Sequence, residues 1–332
     1  MEAYYRLELR SSAQPVDDGL THEDLGPQLN LVFWLLTGLA TVFLILRLYC
    51  KFHRSRSLWW DDHFLIAAWV SLVVSAATTS VCVSLDYGKH SYDMRPENLP
   101  KMPFVAVFAG FFSVLAAAWS KTSFGLTMLR LTQGRMKAVV WFIIITLNAI
   151  MGTAMLTMWV KCYPFARIWD GSIEGQCIDP AKIVTLYQWS AGWSGSADVI
   201  LALLPWSILF NMRQTLSTRE RIGIAVAMSM GIVAGVASFV KMVMLPKLTG
   251  DPTETVAVTI WGGAEGAITI IAASIPVLRA LIRGEASGSN ARFDTTDEAR
   301  LRTMSLETLS TPRKADEEME VYIHGAWSTR PQ

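Results

Sequence analysis

Charge is what this chain has least of. Asp, Glu, Lys and Arg make up 17% of its 332 residues, where a soluble domain averages about 25%. The last 47 residues carry 14 of the 57 charged side chains, so the body up to residue 285 is poorer still. Such a body does not read as a soluble domain. A surplus of one sign is also missing: 29 Lys and Arg against 28 Asp and Glu leave a net charge of +1. That is not the basic excess of a nucleic-acid binder, and no such partner is expected. No P-loop, Gly-x-Ser-x-Gly elbow or His-Glu-x-x-His helix occurs. Asp61, Asp62 and His63 are consecutive and point in different directions, with no second acidic cluster in a cytosolic loop, so neither a metal nor a cofactor is expected.

What the chain has in abundance is apolar side chains, 52% of the total. Windows of about 19 residues pick out apolar stretches near Leu29 to Cys50, Phe64 to Leu85, Pro103 to Leu131, Val139 to Val160, Ile183 to Phe210, Ile222 to Leu245 and Val256 to Ile282. Each is long enough for a helix crossing a bilayer core of about 30 Å. The expected fold is therefore all-α, a polytopic membrane protein of seven transmembrane helices with the lipid bilayer as its partner. Residues 1–28 hold Asp17, Asp18, Glu23 and Asp24 and no apolar run, so they are read as a short non-cytosolic segment rather than a signal peptide or a span. Residues 29–285 form the membrane domain, and residues 286–332 read as a disordered cytosolic tail. In the tail, Ser305 follows Arg300 and Arg302, and Thr311 precedes Pro312; both are phosphorylation patterns that a solvated tail also produces by chance.

Short cytoplasmic loops are enriched in Lys and Arg. The first, third and fifth connections are short and basic, with Lys51, Arg54 and Arg56, then Arg135 and Lys137, then Arg213, Arg219 and Arg221. The even connections dilute their bases with acids. This asymmetry predicts the N-terminus outside and the C-terminus in the cytosol. Cys162 and Cys177 then share the outer loop between the fourth and fifth spans, where a disulfide is expected. Cys50 and Cys82 lie toward opposite ends of their spans and cannot pair. Most of the 13 tryptophans fall near span ends; Trp69 and Trp119 lie inside spans.

Charges within spans cost about 2.5 to 3.5 kcal/mol each on insertion scales, so they face the bundle interior and find partners. Lys121 in the third span, Asp198 in the fifth, Lys241 toward the outer end of the sixth and Glu265 in the seventh form a balanced set. Helical spacing puts Tyr187, Ala191, Ser194 and Asp198 on one stripe, Glu265 and Thr269 on another, and Ser113, Ser120 and Thr127 beside Lys121. A polar pocket with these residues as ligand candidates, a salt-bridge set that locks the bundle, and a proton or ion path all fit this pattern. Asp61 and Asp62 open the second span, where carboxylates cap a helix N-terminus; position 65 is Leu65, which excludes an aspartate-rich prenyl-diphosphate motif. Gly223, Ala227, Gly231 and Gly235 give the sixth span a small-residue ridge for close packing. No lysine falls between Val256 and Ile282, which excludes a last-helix retinal Schiff base, and Leu129-Arg130-Leu131-Thr132 lacks the triplet of G-protein-coupled receptors.

Taken jointly, several motifs resemble the fungal seven-helix rhodopsin-domain integral membrane proteins, a family typified by the membrane protein of the satratoxin biosynthesis cluster. They are Trp60-Asp61-Asp62, Tyr87-Gly88, Lys121-Thr122-Ser123, Leu129-Arg130-Leu131, Cys162-Tyr163-Pro164, Trp169, Gly175-Gln176-Cys177, Asp198, Pro205, Glu265 and Pro276-Val277-Leu278-Arg279. Ser194 stands where the family usually has Asn, Lys241 where Arg is usual, and Ala280 where a second Pro commonly follows. The resemblance implies a membrane protein serving fungal secondary-metabolite (mycotoxin) biosynthesis, binding or handling a lipophilic small molecule. A receptor-like sensor and an intramembrane enzyme with Asp198 or Glu265 as general acid stay open beside it, and neither the membrane nor an oligomeric state is implied.

Overall fold

The computed structural model describes residues 24–53, 58–90, 92–132, 134–168, 173–211, 218–249, 253–275 and Leu278. Residues 1–23, Trp169, most of the Pro276 to Arg279 motif and the tail with Ser305 and Thr311 lie outside them. So do the side chains of Pro205 and Ala227 and the surroundings of Gly223.

Helices α1 (Gly26–His53), α2 (Trp60–Ser84), α3 (Met102–Leu131), α4 (Arg135–Val160), α5 (Pro180–Asn211) and α6 (Thr218–Met244) follow one another, with α7 at Thr253–Ile275. Within the described residues six stretches are long and apolar enough to cross a membrane: α1 to α4, α7, and Met228–Lys247 from α6 onward. The 25 residues of α2 rise about 38 Å at about 1.5 Å each, enough for the bilayer core.

The way these helices bury themselves explains why the fold needs lipid. In α1 the inward stripe is Leu29, Phe33, Thr37, Ala40, Leu44, Arg47 and Lys51, at steps of three and four. The opposite face carries Leu31, Leu35 and Ile45, each exposed by more than 60%. Apolar side chains laid bare along whole helices fit a hydrocarbon solvent, not water. Helix α7 differs: 72% of its apolar window is buried against at most 39% elsewhere, so it is the central helix.

Helix ends follow local chemistry. Gly26 N donates to Asp24 Oδ1 at 3.0 Å at the start of α1, Pro103 stands in the first turn of α3, and Ala181 N donates to Asp179 Oδ1 at 3.0 Å to open α5. After α2 the chain reverses through Asp86 and Gly88, both at positive φ. A Cβ on Gly88 would come within 2.6 Å of Gly26 N, and that close approach lets Leu25 N donate to Gly88 O at 3.0 Å. Tyr87 Oη reaches the hydroxyls of Thr255 and Thr259 at 2.8 and 3.0 Å, tying the α2–α3 connection to α7.

Between α4 and α5 a two-residue antiparallel ladder pairs Cys162 with Cys177 and Tyr163 with Gln176, and the two cysteines form a disulfide. Cys50 and Cys82 are free thiols. Trp69 is explained by a partner: its indole N–H donates to Thr41 Oγ1 at 2.8 Å, between α2 and α1. On α6 the described part of the ridge faces α5. A Cβ on Gly231 would meet Ala202 at 2.7 Å and one on Gly235 would meet Val199 at 2.9 Å, so the ridge packs within the bundle.

Candidate functional site

The balanced set of intramembrane charges gathers at one place. Lys121 of α3 is the hub: its ammonium lies 2.6 Å from Asp198 Oδ2 of α5 and 2.6 Å from Glu265 Oε1 of α7. It also donates to Ser194 Oγ. Ser194 Oγ donates in turn to Glu265 Oε1 at 2.7 Å. The second oxygen, Glu265 Oε2, accepts from Lys241 Nζ of α6 at 2.9 Å. Two ammonium groups and two carboxylates thus close a neutral chain across four helices, Asp198 to Lys121 to Glu265 to Lys241. Neutrality is what allows the burial, because an isolated charge in such a place costs several kcal/mol.

The stripes read from the sequence are partly realised. Ser194 and Asp198 share the α5 face that meets Lys121, and Thr269 Oγ1 donates to Glu265 O at 2.8 Å, a bond within α7. Ser120 and Thr127 donate to carbonyls of α3 itself, those of Ala117 and Ser123, and stay outside the ionic chain. Ser238 is a member that sequence reasoning missed. It accepts from Lys121 Nζ at 3.3 Å and its hydroxyl lies 3.5 Å from Asp198 Oδ2. Its spacing of three residues from Lys241 puts both on one face of α6, which is the signal that would have found it.

Exposure within the centre is graded. Lys121, Asp198, Glu265, Ser194 and Ser238 are sealed, each at most 2% exposed. The Lys241 side chain keeps 13% and sits three residues before the end of α6. Along α3 the same gradient appears: residues 120–125 are buried, whereas residues 110–115 toward its N-terminus are half-buried on every face. The centre is therefore closed on one side and looser toward the N-terminal end of α3. An open apolar groove elsewhere, lined by Val81, Leu85, Pro100, Lys101, Phe104 and Val105, contains none of the four charges.

Asp61 and Asp62 build a second ionic centre at the first turn of α2. Asp62 Oδ2 accepts from Trp59 N at 3.1 Å, so it does cap α2. Asp61 does not take that role. Arg47 of α1 donates from Nη2 to Asp61 Oδ2 at 2.7 Å and from Nε to Asp62 Oδ1 at 3.0 Å, and its third arm donates to Ala273 O of α7. Lys51 bonds Asp62, and Arg130 of α3 bonds Asp61 while stacking over Trp59 at 4.6 Å. Ser123 Oγ adds a bond of 2.6 Å to Asp61 O. Lys51, read as a loop residue, is a buried member of α1. Arg47 lies inside the first apolar stretch, and the cost rule that singles out Lys121 applies equally to it.

Residues 46–284, well over half of the chain, match the fungal rhodopsin domain. This chain belongs to the fungal rhodopsin domain family. It is a multi-pass integral membrane protein, with both ionic centres inside the matched region. Among curated proteins, a polyenoic acids biosynthesis gene cluster protein of Metarhizium anisopliae is 22% identical over 281 residues, covering 78% of this chain and 75% of the relative. No solved structure matches the chain.

Proposed function

We propose that this fungal rhodopsin-domain protein serves secondary-metabolite biosynthesis by binding or handling a lipophilic small molecule at the Lys121, Asp198, Lys241 and Glu265 centre. The relative's place in a biosynthetic gene cluster supports the setting. The observation that carries the site is the gradient of burial, sealed around Lys121 and partly open at Lys241. A pure lock would gain nothing from a cation left partly uncovered. With this reading goes a seven-span topology, α5 with its 32 residues as the remaining span. The N-terminus is then outside and residues 286–332 form a cytosolic tail, as the basic odd-numbered connections favour.

The enzyme reading is less well supported. Each carboxylate is already held by a lysine within 3 Å, and a general acid needs a proton aimed at open space. Deleting the gene and profiling extracted metabolites separates the classes. A shifted product spectrum without an accumulated intermediate fits binding or handling, an unconverted intermediate means enzyme, and a lost transcriptional response means receptor. Complementation with Asp198→Asn or Glu265→Gln then tests the site. Normal protein abundance with a lost metabolite phenotype supports it, and abundance and phenotype falling together supports the lock.

A further inference from the structure

Lys241 differs from the other three charges in what it has left to give. Lys121 is saturated, with Asp198, Glu265, Ser194 and Ser238 around its ammonium. Lys241 has three N–H donors, and among the described residues its one ionic partner is Glu265 Oε2. It is also the least buried of the four charges, and Leu245, one turn further along the chain, belongs to a small buried apolar cluster with Ala191 and Val258, against which Tyr187 and Met242 pack. A cation with donors left over among the described residues, beside such an apolar collar, suits an anionic head on an alkyl chain.

We infer that the centre takes an amphiphilic monoanion, its head on Lys241 and its chain against the apolar collar, and that it takes one proton with it. This deepens the ligand-handling reading and rests on it. The proton follows from charge balance. The empty centre sums to zero, so an added anion would leave one uncompensated negative charge among sealed side chains. With the anion on the remaining donors of Lys241, Glu265 Oε2 is the carboxylate oxygen that shares this ammonium with the added charge, whereas Oε1 keeps Lys121 and Ser194. The arriving proton therefore goes to Oε2, and no covalent bond other than that O–H forms or breaks. Among the described residues, the charged or titratable side chains around Lys241 are Glu265 of α7, Lys121 of α3, and Asp198 and Tyr187 of α5. Ser238 contributes only a hydroxyl, and Lys247 on the following turn is exposed.

The test uses the full-length protein in lipid nanodiscs with trace radiolabelled dodecylsulfonate. This probe stays anionic throughout the range used, so any pH dependence belongs to the protein. Wild-type affinity should rise by about tenfold per pH unit as pH falls from about 8 toward about 5, in the window where one carboxyl takes up its proton. Glu265→Gln supplies the neutral group in advance; it should bind at least as tightly as acidified wild type and show no pH dependence. If that variant does not fold, Asp198→Asn makes the same change in net charge. Lys241→Gln should lose sulfonate binding and keep binding of dodecanol. A pH-independent wild type, or unchanged affinity in Lys241→Gln, overturns the inference. Dodecanol bound without sulfonate leaves the lipophile site standing and removes the anion; if neither probe binds, both readings fall.

Discussion

At the scale of single residues, the consequence of pairing is that each charged side chain is safe only while its partners stay. Removing one member of a desolvated pair typically costs about 3 to 5 kcal/mol, whereas replacing both by apolar groups is far milder. Lys121→Met leaves Asp198 and Glu265 without their shared cation. It should give the largest loss of folded protein of any single change in the Lys121 centre, read as the monodisperse fraction in detergent chromatography. Adding Asp198→Leu to Lys121→Met should restore part of that fraction. A double variant no better than the single one would mean that the Lys121 to Asp198 contact is not the cause. In the Arg47 centre Arg47→Met should be at least as damaging, since three of its nitrogens have partners and one of those is a carbonyl of the central helix.

Elements are joined by close approaches that leave little room. Gly235→Val should push α6 from α5, because a Cβ alone would sit 2.9 Å from Val199, and overpacking of this kind costs about 1 to 3 kcal/mol. Gly38→Ala, with nothing within 4 Å of the new methyl, is the neutral control; the two should differ clearly in thermal midpoint in detergent. Opening the Cys162 to Cys177 bond releases a loop of 15 residues, worth about 3 kcal/mol in the chain-entropy model. Cys162→Ser should therefore lower the same midpoint, and unreduced peptide maps of the wild type should contain one linked pair. The α2–α3 connection turns on Asp86, whose carboxylate accepts from Lys89 Nζ at 2.6 Å and Asn98 Nδ2 at 2.8 Å. The Lys89 bond, ahead of the Asn98 bond, holds this carboxyl below its ordinary 3.8. A depressed value means a contribution fully present above 3.8 and lost only as pH falls through the lower one. Amide exchange across residues 86–98 should thus stay slow at mildly acidic pH, and Asp86→Asn should speed it at neutral pH.

For the whole molecule, orientation is the measurement that matters first. An impermeant thiol reagent on intact cells should reach a cysteine placed in residues 1–23 and miss one placed in the tail; the reverse pattern would invert the topology. Much of the architecture was legible beforehand because the bilayer imposes a blunt rule, about 20 apolar residues per crossing. The expected stretches fall within a few residues of the helices, and the expected end of the seventh, at Ile282, lies outside the described residues. The Lys121 centre was legible for the same reason, since Lys121, Asp198, Lys241 and Glu265 stand out against apolar neighbours. The Arg47 centre was less so. Asp61 and Asp62 fit a capping explanation that is half right, and Arg47 and Lys51 sit close enough to a basic connection to pass for loop charge. Which hydroxyls join a network is decided by helix rotation and tilt, and so Ser238 came only with the structure while Ser120 and Thr127 turned to their own backbone.

The balance of charge in the Lys121 centre has an electrical consequence. A membrane potential does work of about 2.3 kcal/mol per elementary charge per 100 mV on a charge carried across the full bilayer. Lys121 and Lys241 cancel Asp198 and Glu265, so rigid displacement of the four together moves no net charge through the field. Voltage can act on this centre only by separating its members, which the contacts within 3 Å resist. A voltage-clamped membrane rich in the empty protein should accordingly show no gating current from this centre. Lys241→Gln, which leaves it with one negative charge too many, is the variant in which a voltage-dependent displacement should first be seen.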